Sequence, residues 1–218
     1  MKSTLRQSVF FTTAISITLF LLWAGGTGSL AQTQPQKPDD KFVIVPGVRV
    51  GDITATTSFA DLVRIYGKAN VTSEEISGNE GDSYPGAKVF PQDPHKTLEI
   101  IWKDPDHKRN PELVRIVGDT TSVWKTDSGI TLGTTLKEVE KINGKPFKIS
   151  GFGWDLGGLV VDWNGGKLTA KTLGMGFQSG EGVTEKEAES VNGDRVLPST
   201  NRVLQKMNPK VSYLECRF

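Results

Sequence analysis

A single cysteine, Cys216, stands in the 218 residues, and one thiol cannot close a bridge within the chain. Two histidines, His95 and His107, leave few imidazole ligands for a metal. Charge of one sign never accumulates: 26 basic side chains face 25 acidic ones, scattered along the chain. That excludes the electrostatic footprint of a nucleic-acid binder, and no basic run suits an acidic membrane surface. The longest apolar stretch, Val9 to Trp23, is softened by Thr and Ser. It falls short of the roughly 20 residues a spanning helix needs.

That stretch follows Lys2 and Arg6 and leads to Ser29 and Ala31, the small residues a signal peptidase requires. The pattern predicts a signal peptide over 1–31 and a periplasmic or secreted protein. The alternative is an uncleaved N-terminal anchor, the one membrane contact this sequence offers. Without residues 1–31, which hold Lys2 and Arg6 and no acids, 24 bases face 25 acids. A polar, Pro-bearing stretch over 32–41 reads as a flexible spacer. The remaining length buries enough surface to fold without a staple, and Cys216 reads as a small apolar core residue.

Ile53 to Lys68 (ITATTSFADLVRIYGK) and Ile130 to Lys145 (ITLGTTLKEVEKINGK) share one design at an offset of 77. Six of sixteen positions are identical, where ordinary composition gives about one. Ser58 and Thr135 are placed as N-caps, with Asp61 and Glu138 three residues on as capping-box partners. Phe59, Leu62 and Ile65 share a helix face, as do Leu136, Val139 and Ile142. Gly67 and Gly144 are set to close each helix in the left-handed conformation, and Pro146 forbids continuation. Helices this short need a surface to lie on. Leu98 to Trp102 and Leu159 to Trp163 both alternate and both end an apolar face in Trp. Further strands are expected over 114–117, 122–125, 147–150 and 167–172. Thr184 and Glu187 open a helix, and Tyr213, Glu215 and Arg217 alternate with Leu214, Cys216 and Phe218 in a closing strand at a sheet edge.

The fold class read from this is α+β: two tandem helix-plus-antiparallel-meander repeats that can share one sheet, helices on one face. Unit 1 runs over 42–127, unit 2 over 128–180, and a C-terminal helix and closing strand over 181–218. From its closing Gly to its Trp, the first unit is sixteen residues longer than the second, mostly in SEEISGNEGDSYPGAKVFPQDPHK. A long loop in a compact domain is functional or disordered, and this one carries Tyr84 and Phe90.

The segment GITLGTTLKEVEKINGKPF resembles the helix segment of small envelope proteins of the BamE (SmpA/OmlA) type. Tandem helix-plus-sheet units also resemble the β-lactamase inhibitory protein fold. These resemblances imply a scaffold for protein–protein contacts outside the cytoplasm. This chain departs from the first in having no lipidation Cys and from the second in having no disulfide.

No motif assembles a reaction. Asp93 stands near His95, and Asp104 and Asp106 near His107, but a strand over 97–103 would hold the two histidines on the order of 20 Å apart. Ser122 and Lys125 have Ser-x-x-Lys spacing on a strand, which puts them on opposite faces. Gly151 to Gly158 (GFGWDLGG) lacks the phosphate-loop spacing and a following capped helix. It reads as a hairpin connection that displays two large rings. No catalytic residue, metal site or cofactor is therefore assigned. The binding candidates are Tyr84 and Phe90 in the first loop and Phe152, Trp154 and Asp155 in the second. The expected role is a non-catalytic envelope module that binds another envelope or extracellular protein. Two rivals stay open: a small extracytoplasmic hydrolase or metal-dependent enzyme, and a small-molecule or lipid carrier.

Overall fold

In the computed structural model, which describes residues 38–78 and 81–218, two eight-residue helices begin in the same way. Helix α1 (Phe59–Tyr66) is capped by Ser58: its Oγ accepts the Asp61 N–H at 3.2 Å, and the Asp61 carboxylate accepts the Ser58 N–H at 3.0 Å. Helix α2 (Leu136–Asn143) has Thr135 and Glu138 in the same reciprocal bonds, at 3.4 and 2.8 Å. These pairs satisfy donors that a helix start leaves free. Gly144 closes α2 in the left-handed region (φ 75°, ψ 1°). Gly67 departs from expectation: at φ 87°, ψ 143° it exits through an extended mirror conformation open in practice only to glycine. Helix α1 buries Leu62 and Tyr66, and α2 buries Leu136, Val139 and Asn143.

A third capping box, Thr184 with Glu187, starts α3 (Glu185–Glu189), and Asn201 caps α4 (Arg202–Met207). The capping acids set an acid limit. Asp61 is lowered to about 2 by Arg64 and Ser58, Glu187 to about 2 by Lys206 and Thr184, and Glu138 is lowered by Thr135. Folded pKa values below unfolded ones give stability that is present above about pH 4.5 and is lost as pH falls toward 2. Thermal melts should show Tm falling across that window. Thr135→Ala should cost about 1 kcal/mol at pH 7 and less in acid, as Glu138 takes up a proton. A cost that does not change with pH would mean that the Glu138 charge contributes nothing.

The strands are β1 (Val43–Val45), β2 (Arg49–Val50), β3 (Val71–Ser77), β4 (Ser83–Val89), β5 (Leu98–Asp104), β6 (Arg109–Ile116), β7 (Lys125–Thr126), β8 (Lys148–Ser150), β9 (Val160–Asp162), β10 (Leu173–Gln178), β11 (Val196–Pro198) and β12 (Lys210–Arg217). A six-stranded antiparallel sheet has the order β10-β12-β6-β5-β4-β3. Two three-stranded sheets, β2-β1-β7 and β11-β8-β9, complete an α+β fold in which β1 with β7 is the parallel pair. Leu62, Leu98, Ile100, Trp124, Leu136, Phe147 and Leu214 belong to one hydrophobic core. Cys216 is buried in it, and burial pushes its thiol pKa up.

Several sequence expectations change. The stretch read as a long loop is the β3–β4 hairpin, paired from Val71↔Val89 to Ser77↔Ser83. Thr72 to Glu75 are all exposed, so this part of the edge strand carries no apolar alternation. Trp102 lies on the third strand after its helix, whereas Trp163 directly follows the second strand after its own. Val161 is 43% exposed and Val160 is buried, because β9 is bulged against β8 between Val160 and Asp162. Residues 167–172 lie outside any strand, with a turn at 170–172, and the strand is Leu173–Gln178. Its Gly176 is required by packing, since a Cβ there would stand 2.1 Å from the Tyr213 ring. Of residues 122–125 only Lys125 is in a strand. The expected closing strand β12 lies inside the sheet, between β10 and β6. Part of the proposed spacer is a 3-10 turn, Pro38–Phe42. Helix α4 and strand β11 lie where the sequence suggests no element. The signal segment and its cleavage after Ala31 lie outside the described residues. Among the described residues no helix is long and apolar enough to cross a membrane.

Candidate functional site

Alternation divides the six-stranded sheet into two faces. Leu214 and Cys216, Val114 and Ile116, Leu98 and Ile100, and Ala87 and Val89 face the core. The opposite face carries a line of charge. Glu215 lies directly across from Arg115, Arg115 from Glu99, and Glu99 from Lys88. Ion pairs run along this line: Arg217–Glu215 at 2.7 Å, Arg115–Glu215 at 2.9 Å, Arg115–Glu99 at 3.5 Å, Lys88–Glu99 at 3.6 Å and Lys88–Glu74 at 3.5 Å. Opposite charges directly across strands stabilise a sheet by about 0.2–1 kcal/mol each. The middle of the line is sheltered: the side chains of Arg115 and Glu215 are 17% and 11% exposed.

The β3–β4 hairpin leans over this face. Arg115 Nη1 donates to the Ser77 carbonyl at 2.9 Å, although β4 and β5 separate their two strands in the sheet order. Ile76 and Leu113 are buried without belonging to the main core. The result is a cleft of about 360 Å3 lined by Asp82, Tyr84, Ile101, Glu112, Leu113, Arg115, Glu215 and Arg217, with Gly78 at the hairpin. Asp82 accepts the Tyr84 hydroxyl at 3.1 Å and, with Glu112, raises the phenol above its usual range. Beyond the cleft, Tyr213 packs against Gly176, and burial pushes its phenol up to about 12.

Of the residues singled out from sequence, Tyr84 is the one that lines this cleft, and it is 42% exposed. Phe90 instead packs against the core, with its ring edge-on to Tyr66 at 5.4 Å. Phe152 is 5% exposed and is also a core residue. Trp154 is 38% exposed, with its indole N–H bonded to the Gly151 carbonyl at 2.8 Å, and Asp155 is exposed. The loop that carries them is a hairpin connection between β8 and β9 held by Ser150, whose Oγ accepts the Leu159 N–H at 2.9 Å and donates to the Leu156 carbonyl. Phe152→Ala should therefore cost about 3–4 kcal/mol in denaturant unfolding. Trp154→Ala should cost about 1 kcal/mol. Equal losses would make Trp154 a core residue too.

The histidines occupy separate turns. His107 Nδ1 bonds the Asp104 carboxylate at 2.9 Å, and Arg109 with His107 lowers Asp104 to about 2. His95 Nδ1 meets both the Thr121 hydroxyl and, at 3.4 Å, Asp119. A proton relay needs the hydroxyl and the carboxylate on different ring nitrogens, and here both lie on one. Among the described residues no three His, Cys, Asp or Glu side chains gather where they could hold a metal ion. A larger groove of about 760 Å3 at the end of the sheet is rimmed by Asp119, Gln178, Glu181, Lys210 and Ser212 over Leu132 and Met207.

Sequence reasoning missed Arg115, Glu215, Arg217, Glu99, Lys88 and Ile101 as site residues. The signal available was opposite charge at alternating strand positions, which becomes informative only when the pairing of strands is known. The fold and this face define a class: an α+β protein with largely antiparallel sheets, one of which carries a line of ion pairs on the face away from the core. No family model matches the chain, and no curated protein matches it. A solved structure that matches is the uncharacterized protein yfeY from Escherichia coli, with a TM-score of 0.45 and 14% identity, covering 80% of this chain and 99% of that one.

Proposed function

We propose that this protein is an exported, non-catalytic envelope module that binds another protein through the open face of its six-stranded sheet. The observation that carries the reading is the cleft beside the charge line, where an exposed aromatic ring and an apolar floor lie next to ordered charges. Interfaces favour such aromatic anchors within a polar surround.

The reading includes a duplicated scaffold, two helix-plus-meander units sharing that sheet. Its support is a matched set of bonds. The Phe59 N–H reaches the Lys108 carbonyl at 2.8 Å and the Asn110 N–H reaches Thr57 at 3.0 Å. In the second half the Leu136 N–H reaches the Pro209 carbonyl at 2.8 Å and the Val211 N–H reaches Thr134 at 2.9 Å. Each helix start thus bridges a strand start, Ser58 to Arg109 and Thr135 to Lys210. The two strands so bridged, β6 and β12, pair directly with each other in the shared sheet. The resemblance to BamE-type and β-lactamase inhibitory scaffolds belongs to this proposal, and so does periplasmic or secreted placement.

The test is site-specific photocrosslinking in cells of the source organism. A crosslinker at Tyr84 or Lys88 should give one adduct of discrete mass, and one at Val48 or Val196, exposed residues outside this sheet, should give none. Adducts from all four positions, or from none, would remove the sheet face as the binding surface.

A further inference from the structure

The charged side chains that line the cleft form two sets. Arg115 and Arg217 are both held by Glu215, and Arg115 is also held by Glu99. Asp82 and Glu112 lie near the exposed Tyr84 ring, and neither has a cationic partner among the described residues. Ile101 and the buried Leu113 line the same cleft and offer apolar surface rather than polar groups. A cation over an aromatic face with carboxylates beside it is favoured, more so where water is partly excluded. A long aliphatic stem ending in a cation matches apolar surface beside such a set.

We infer that the cleft receives a lysine or arginine side chain of the partner protein, with its stem over Ile101 and Leu113 and its cationic head between Asp82, Glu112 and the Tyr84 ring. This rests on the sheet-face reading and specifies its partner chemistry. The volume of about 360 Å3 is at the small end for a binding pocket and suits one side chain rather than a folded ligand. The guanidinium groups of the cleft do not oppose this occupant strongly, because Glu215 and Glu99 neutralise them. An acidic occupant would have to compete with Glu215 for Arg217.

The three tyrosines make the test direct, because Tyr66 and Tyr213 are largely buried and report on the fold while Tyr84 reports on the cleft. With tyrosine rings labelled, the protein is titrated by NMR with acetyl-Gly-Lys-Gly, acetyl-Gly-Arg-Gly and acetyl-Gly-Glu-Gly amides. The lysine and arginine peptides should shift the Tyr84 resonances saturably, and the glutamate peptide should not. The double variant Asp82→Asn, Glu112→Gln should weaken the basic peptides about ten-fold, with the Tyr66 and Tyr213 signals unmoved. Preference for the glutamate peptide, or unchanged affinity in the double variant, would overturn the assignment. Running the double variant through crosslinking from Lys88 separates the two proposals. An undiminished adduct would leave the sheet-face reading standing and end this one. Saturable basic peptides with no adduct from the unmodified chain would do the reverse.

Discussion

Trp124→Ala is expected to be the most destabilising single truncation in the protein, costing about 4 kcal/mol in urea unfolding. Trp124 has no exposed surface. Its indole N–H donates to the Lys96 carbonyl at 2.8 Å, and the Phe42 ring meets it edge-on at 5.1 Å. Its carbonyl accepts the Thr131 hydroxyl at 2.7 Å, which ties the start of the second repeated segment to this site. The ring also lies so close to Gly51 that a Cβ there would stand 3.0 Å from it. Truncation leaves a cavity bordered by backbone that cannot collapse and orphans the Lys96 carbonyl. Trp124→Phe should recover roughly half of the loss, since it restores ring packing but not the hydrogen bond. A cost below about 1 kcal/mol for the alanine variant would mean that the chain from 119 to 126 is not anchored through this ring.

Glu215→Ala should cost about 3 kcal/mol, for an electrostatic reason. Its carboxylate is the shared partner of Arg115 and Arg217, at 2.9 and 2.7 Å, in the sheltered middle of the sheet face. Removing it leaves the Arg115 guanidinium, 17% exposed, with Glu99 at 3.5 Å as its remaining charged partner. Leaving a mostly buried charge short of its partner costs more than the pair contributes when intact. The double variant Arg115→Met, Glu215→Leu should accordingly recover most of the stability while still abolishing partner crosslinking from Lys88. Urea unfolding of Arg115→Met, Glu215→Leu and the double gives the coupling energy. A double variant no better than Glu215→Ala would show that packing, not charge, sets the cost.

Local chemistry was readable from sequence. The capping boxes at Ser58, Thr135 and Thr184 form with the residues expected, because a cap involves side chains and backbone within four residues of one another. The alternation from Leu214 to Arg217 was equally readable, since one face packs in the core and the other carries the charge line. The β3–β4 hairpin was not, because one buried face is what makes alternation visible and Thr72 to Glu75 have none. Nor was β10, where Gly176 stands at a position dictated by Tyr213 on a neighbouring strand. Among the binding candidates, ring size and a glycine-rich setting did not distinguish Phe152, a core residue, from Trp154, its exposed neighbour.

By itself, then, the sequence determined the α+β class, the starts of α1, α2 and α3 and the inward face of the last strand. These follow from interactions spanning a few residues. The tertiary structure alone decided that Arg115 meets Glu215 across one hundred residues and that Ser77 bends back to Arg115, with Tyr84, Glu112 and Arg217 sharing one cleft. Strand register and sheet order arise from the packing of the whole core. A charged side chain finds its partner only after that packing has chosen which strands lie side by side.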